Sequence, residues 1–339
     1  MELFKEWLQK IEIGEDVIFT ITYLTGKRVR IAGIIVMLFL CLQIIGCRRP
    51  AERKPKPGIP LREPTISLYI NESGEKKKLK LEEYIAGVVA AEMDPAWPIN
   101  ALAAQAILAR TFTLENIKAG RVQQLHGTDA STSTEEFQAY DAARINKNVR
   151  EAVKQTRGKV VTYQGNYIKA WFCACNGGVT ASAAEGLSYT KAPTPYVRAG
   201  IKDDCLKIAP PAYRIWETKI PLARVQAAVA KITGKASGEI TSAQIIEHGP
   251  SGRATKIKLG GAVVGAPALR LNLGSEWVRS TFLTAITVQD GNLILKGKGF
   301  GHGVGMCQWG ARKLAQEGKS PGEIIRFYFK GVEVKKYWP

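Results

Sequence analysis

The stretch LEEYIAGVVAAEMDPAWPINALAAQAILARTFTLENIKA, residues 81–119, holds two helix-length apolar segments separated by prolines. Leu81–Met93 is apolar over much of its surface, the pattern of a buried helix. Pro95 and Pro98 break it, because a proline removes a backbone donor and clashes with the preceding turn. Ile99–Ala119 then resumes, with apolar positions at 102, 106 and 109, and stops before Gly120. Outward from this pair, Ile66–Ile70 reads as a strand turning at Asn71-Glu72-Ser73-Gly74 into a second strand that ends near Leu81. Downstream, 126–147 is polar and reads as loop, Asn148–Thr156 as a short helix, and Lys159–Tyr163 with Tyr167–Phe172 as a hairpin.

Residues 220–298 change character. A helix at Leu222–Ile232 precedes strand-like runs at Glu239–Glu247, Ala254–Leu259, Thr281–Val288 and Leu293–Lys296. This segment is expected to form a smaller lobe inserted before a C-terminal Gly-rich motif. Helices near Met306–Gln316 and Ser320–Phe329 and a strand at Val332–Val334 close the chain. Without regular βαβ alternation the class is α+β, with two lobes flanking a substrate groove.

The 339 residues are 45% hydrophobic and 23% charged, a globular composition, with a net charge of +18. One apolar run, Ile31–Gly46, excludes a multi-span transporter or channel. The excess charge points to an anionic partner. Nucleic acid is excluded, since basic residues beyond 80 are dispersed and no helix-turn-helix, zinc-finger or RNA-recognition pattern is present. Gly318-Lys319-Ser320 lacks the upstream glycine of a phosphate loop, which falls on Lys313, and GFGHGVG at 299–305 lacks nucleotide-binding spacing.

Residues 1–47 form a leader in which Lys27, Arg28 and Arg30 precede the apolar run, which ends in Ile44-Ile45-Gly46-Cys47. The run is short for a spanning helix but suits an export signal. The ending resembles a lipobox, with Cys47 as the lipidated residue; the alternative is a signal-anchor helix over 31–46. Either places the remainder outside a bacterial cytoplasmic membrane. Residues 48–64 carry five prolines and several basic side chains, an extended tether whose charges either lie near anionic surfaces or belong to a plain soluble spacer.

Two blocks, Tyr84–Leu114 and GKGFGHGVGMCQWGARKLAQEGKSPGEIIRFYFKG at 297–331, carry the chemistry, together with Asn176-Gly177-Gly178-Val179-Thr180 and Pro195-Tyr196-Val197-Arg198. In order over roughly 65–339 they resemble the stage II sporulation protein D family (the SpoIID/LytB domain). The resemblance implies peptidoglycan as substrate. Sporulation members look like lytic transglycosylases acting on glycan without stem peptides, and LytB-type members are described as enhancers of a separate amidase. The family's catalytic glutamate falls at Glu92, in Ala-Ala-Glu-Met. A helix-end glutamate is more commonly a solvated residue, but semi-burial there raises a carboxyl pKa as acid catalysis near neutrality requires.

Other positions are weighed both ways. Arg110 on an apolar helix needs either a structural carboxylate partner or a glycan group in the groove. Gln105 either supports the site or only packs. Thr180, Tyr196, His302 and Gln308 fall in family blocks and are expected to bind sugar, Tyr196 also by stacking. Cys173, Cys175 and Cys205 with His126 are a possible zinc set, since some family members carry zinc in this region; the competing reading is a Cys175–Cys205 disulfide. No cofactor is expected to be needed for catalysis. Cys307 is expected to be a small buried residue.

Overall fold

The computed structural model describes residues 62–339. The leader, Cys47, the 31–46 run and most of the tether lie outside the described residues, and among those described no helix is long and apolar enough to cross a membrane.

The chain forms β1 (Thr65–Tyr69), β2 (Lys76–Lys80), α1 (Leu81–Glu92), α2 (Ile99–Ala119), α3 (Arg121–His126), β3 (Ala130–Ser131), α4 (Lys147–Gln155), β4 (Lys159–Tyr163), β5 (Asn166–Tyr167) and β6 (Phe172–Cys173). It continues through α5 (Ala183–Leu187), α6 (Pro211–Arg214), β7 (Trp216–Pro221), α7 (Leu222–Thr233), β8 (Ala243–His248), β9 (Ala254–Leu259), β10 (Ala262–Gly265) and α8 (Ala266–Leu273). The last elements are β11 (Leu283–Gln289), β12 (Asn292–Gly297), β13 (Met306–Cys307), α9 (Gln308–Gln316), α10 (Pro321–Tyr328) and β14 (Glu333–Lys336). Helices and several small sheets are mixed, so the class is α+β.

Helix α2 is the axle. Its alanines let α1, α4, α9, α10 and β4 all pack on it, and most of its residues from Ala101 to Thr113 are buried. Gly120 ends it in the left-handed conformation, φ 72°. Around α2 one core gathers Leu81, Tyr84, Leu102, Leu108, Val161, Ile325 and Phe329. A separate core, from Trp216 to Leu295, is built by the sheets β11-β12-β7 and β10-β9-β8 with α7 and α8.

The two helices of the opening stretch are cross-braced by a buried ion pair. Arg110 Nε and Nη2 donate to Glu82 Oε1 and Oε2 at 3.1 and 2.6 Å, and Nη1 donates to the Lys159 carbonyl at 2.8 Å. Glu82 Oε1 also accepts from the Gly158 amide and from Trp338 Nε1. Arg110 is therefore structural and its guanidinium is not offered to a ligand.

Sequence reading misses several elements. The second arm of the expected 159–172 hairpin stops at Tyr167; Phe172–Cys173 instead pairs in parallel with Met306–Cys307, a partner no local pattern reveals. The Met306 helix accordingly starts at Gln308. Strand β7 and helices α3, α5 and α8 lie where no element is expected.

The 299–305 glycines answer to space rather than to nucleotide. Gly303 has φ 78°, and a Cβ there would meet the Arg253 guanidinium at 2.2 Å; at Gly301, φ 107°, it would meet Cys173 Cβ at 2.8 Å. This close approach seats 300–307 against 172–181, through the bridges Cys175–Phe300 and Ala181–Val304.

Breaking one partner of a buried pair strands the other charge. Arg110→Ala is expected to lower the unfolding free energy by about 3–5 kcal/mol in urea titration; an unchanged midpoint would remove the bracing role.

Candidate active site

A groove of about 460 Å³ opens where α1, the 171–174 segment, α8 and the Gly-rich run meet. Glu92, Arg270, His302 and Gln308 line it, with an aromatic wall that includes Phe112, Trp171, Tyr213 and Phe300. Aromatic faces with a few polar groups suit a sugar chain better than a charged cofactor.

Glu92 is the last residue of α1, half-buried but hemmed in by protein. Its Oε1 accepts from the Ala139 amide at 2.9 Å and its Oε2 faces Gln308 Nε2 at 3.5 Å. Burial raises its pKa; the Ala139 amide and Gln308 offset only part of the rise. Among the described residues no cation pairs with it. The result is a carboxyl group that stays protonated above the usual range, at the wall of an open groove. It is the one carboxylate among the described lining residues.

His302 reaches the groove from the glycine run. Its Nδ1 accepts from the Val304 amide at 3.0 Å, which places the proton of the neutral ring on Nε2. Burial, with the charges of Arg270 and Arg253, pushes its pKa down to about 3, so it is a neutral polar group and not a cation.

The remaining expected site residues sit elsewhere. Gln105 is buried in α2 with neither amide atom hydrogen-bonded. Thr180 Oγ1 donates to the Arg198 carbonyl and accepts from the Ile201 amide, pinning a loop. The Tyr196 hydroxyl accepts from the Lys169 amide and its ring tilts against Tyr163. None of these three lines the groove. The hydroxyls of Thr180 and Tyr196 are spent on the scaffold, which residue type alone does not reveal. Sequence reading also passed over Tyr213, Trp171 and Arg270, of which Arg270 lies in a helix it did not expect.

The cysteine set is corrected as well. His126 stacks on Tyr69 and pairs with Glu136 at 2.9 Å, so it is not a ligand partner of the thiols. Cys173 lines the groove, and burial pushes its thiol up to about 12. The sulfurs that converge are those of Cys175, Cys205 and Cys307, all within 4.8 Å of one another and all buried. Cys175 and Cys205 are unbonded with sulfurs 3.4 Å apart, against about 2.05 Å in a disulfide. The Cys175 thiol is lowered because Cys205 and Cys307 hydrogen-bond to it. Three thiols at this spacing, beside the Asp203 carboxylate that accepts from the Cys205 amide, fit a tetrahedral thiolate metal, in which sulfurs stand about 3.8 Å apart.

A family model described as "Stage II sporulation protein" matches residues 69–163, and one described as a domain of unknown function matches 202–305. The stage II sporulation protein D of Bacillus subtilis is 30% identical over 295 residues, covering 80% of this chain and 79% of its own length. An uncharacterized protein of Brachyspira hyodysenteriae is 34% identical over 261 residues, 77% of this chain and 68% of its own. The amidase enhancer of Bacillus subtilis is 25% identical over 296 residues; they cover 75% of this chain but 40% of the enhancer. Glu92 falls in the first matched segment and Arg270 and His302 in the second, so both contribute to one groove.

A raised carboxyl pKa makes folding favour the protonated form, so stability declines as pH rises from the unfolded-state value through the folded-state one. Glu92→Gln keeps an acceptor for Ala139 and escapes that decline. It is expected to melt at a higher temperature than wild type at neutral pH, with the gap closing in acid; melting curves across pH check this, and equal curves would mean Glu92 ionises freely.

Proposed function

We propose that this chain, which belongs to the stage II sporulation protein D family, is a peptidoglycan lytic transglycosylase with Glu92 as its acid and base. The observation that carries the reading is a single, protonation-prone carboxyl in an aromatic groove. Hydrolytic glycosidases use two carboxylates, the second as nucleophile or as base for water. A muramic acid residue carries its own nucleophile, the 6-hydroxyl, and tethering makes attack effectively unimolecular.

Glu92 donates its proton to the glycosidic oxygen as the bond to the muramyl anomeric carbon breaks. The 6-hydroxyl oxygen bonds that carbon and gives its proton to the Glu92 carboxylate, which regenerates the acid and leaves a 1,6-anhydro ring. Water adds no atom. The Ala139 amide and Gln308 stabilise the carboxylate in mid-cycle, while burial restores the proton afterwards. The bond cut is that between N-acetylmuramic acid and N-acetylglucosamine. Such a substrate lies outside the cytoplasmic membrane, which accords with the leader and with anchoring through Cys47 or the 31–46 run.

Mass spectrometry of peptide-free glycan incubated with the protein is expected to reveal anhydromuramyl ends, reduced by about 10²–10⁴-fold in Glu92→Gln. The rate is expected to fall as pH rises through the raised Glu92 pKa, because the acid form is consumed. Reducing ends instead would mean hydrolysis. The similarity to an amidase enhancer favours a second reading, a glycan-binding protein that stimulates a cell-wall amidase; stimulation of an added amidase without cleavage would establish it.

Catalysis as proposed uses no metal. Zinc on Cys175, Cys205 and Cys307 would instead tie the 175–178 turn, the 203–207 turn and the start of α9 together. About one zinc per chain by elemental analysis, lost in Cys307→Ser with a lower melting temperature, is expected. A zinc-free chain with two fewer titratable thiols would mean a Cys175–Cys205 disulfide.

A further inference from the structure

Most buried or half-buried arginines of the fold have evident partners. Arg110 is paired with Glu82 and Arg157 with Glu63. Arg253 donates to the Val179 and Asn176 carbonyls and to Ser251, and lies over the Phe282 ring. Arg270 differs. It projects from α8 into the groove that Glu92 lines. Its Nε donates to the Arg279 carbonyl at 3.2 Å, which orients the guanidinium plane and leaves its two terminal nitrogens without an acceptor among the described residues.

No carboxylate among the described residues makes an ion pair with it. The anion-capable group that acts on it is the Cys173 thiol, which burial keeps protonated, and His302, which lines the same groove, is held neutral. An arginine does not escape the cost of burial by losing its proton. A cation half-withdrawn from water without a counter-charge is unfavourable on its own, and a ligand anion would supply what the fold does not. Glu92 and Arg270 both line the groove, and no ion pair joins them among the described residues.

We propose that Arg270 is the carboxylate subsite of this groove, binding the free lactyl carboxylate of a muramyl residue, and so is the residue behind the preference for peptide-free strands that the family resemblance implies. The inference rests on the reading of the groove as a glycan site. The lactyl group of muramic acid ends in a carboxylate when bare and in a neutral amide when a stem peptide is attached. A planar guanidinium with two free nitrogens matches the bare form in a bidentate pair. The amide retains one carbonyl acceptor but brings no charge, and it adds a peptide that the wall must accommodate.

The test measures binding in the full chain, kept in detergent and carrying Glu92→Gln to prevent turnover. The probes are one muramyl tetrasaccharide with free lactyl carboxylates, its methylamide, and the same sugar bearing stem peptides. The free acid is expected to bind roughly 10- to 100-fold more tightly than the methylamide. That ratio should collapse towards one in Glu92→Gln/Arg270→Gln and recover in part with Arg270→Lys.

A ratio near one in the parent chain would overturn the proposal whether or not the arginine variant folds. So would a ratio that survives Arg270→Gln. Stem-peptide sugar binding as tightly as the free acid, with the same Arg270 dependence, would overturn the lactyl assignment in favour of a peptide carboxylate. Wild-type cleavage is scored in parallel. An intact ratio without cleavage removes the transglycosylase reading and leaves the subsite, whereas cleavage with a ratio of one does the reverse.

Discussion

The Glu82–Arg110 pair is the constraint on which the groove depends. It fixes α1 against α2 from the buried side, so that the far end of α1, where Glu92 stands, is held at a set height over the 139 backbone and Gln308. One carboxylate oxygen of Glu82 gathers donors from Arg110, Gly158 and Trp338, joining segments from three regions of the chain. A buried charge pair is often no more stabilising than packed hydrocarbon. What such a pair provides is a single relative placement of two helices, since sliding either one breaks both hydrogen bonds together.

Around that brace the electrostatics divide the groove. Glu92 is pushed towards the neutral form by burial, His302 is neutral for the same reason aided by nearby guanidinium charge, and Arg270 keeps its proton. A single half-buried acid and a single cation thus share one aromatic-lined groove. The balance suits a ligand that is mostly hydroxyls and ring faces with sparse negative charge.

Much of this was legible in the sequence where the cause is local. The prolines at 95 and 98 and the glycine at 120 delimit the two central helices, and Ser320 with Glu323 starts α10 through a reciprocal cap. Glu92, His302 and Gln308 do line one groove. Where the cause is a distant partner, residue type misleads. Arg110, Thr180 and Tyr196 carry groups suited to sugar, yet each is consumed by a carboxylate, carbonyl or amide at least eighteen residues away in the chain. Likewise Cys307 joins Cys175 and Cys205 only because β6 and β13 lie side by side, a pairing that two-residue strands do not announce.

That parallel pairing has a consequence for assembly. Phe172–Cys173 and Met306–Cys307 meet across the whole intervening second core, so their contact closes a long loop and is opposed by its entropy until that core has collapsed and drawn its ends together. Gln308 follows immediately and completes the surroundings of Glu92. The surroundings of Glu92 are therefore among the last parts to form, and the groove stays incomplete until both cores have closed.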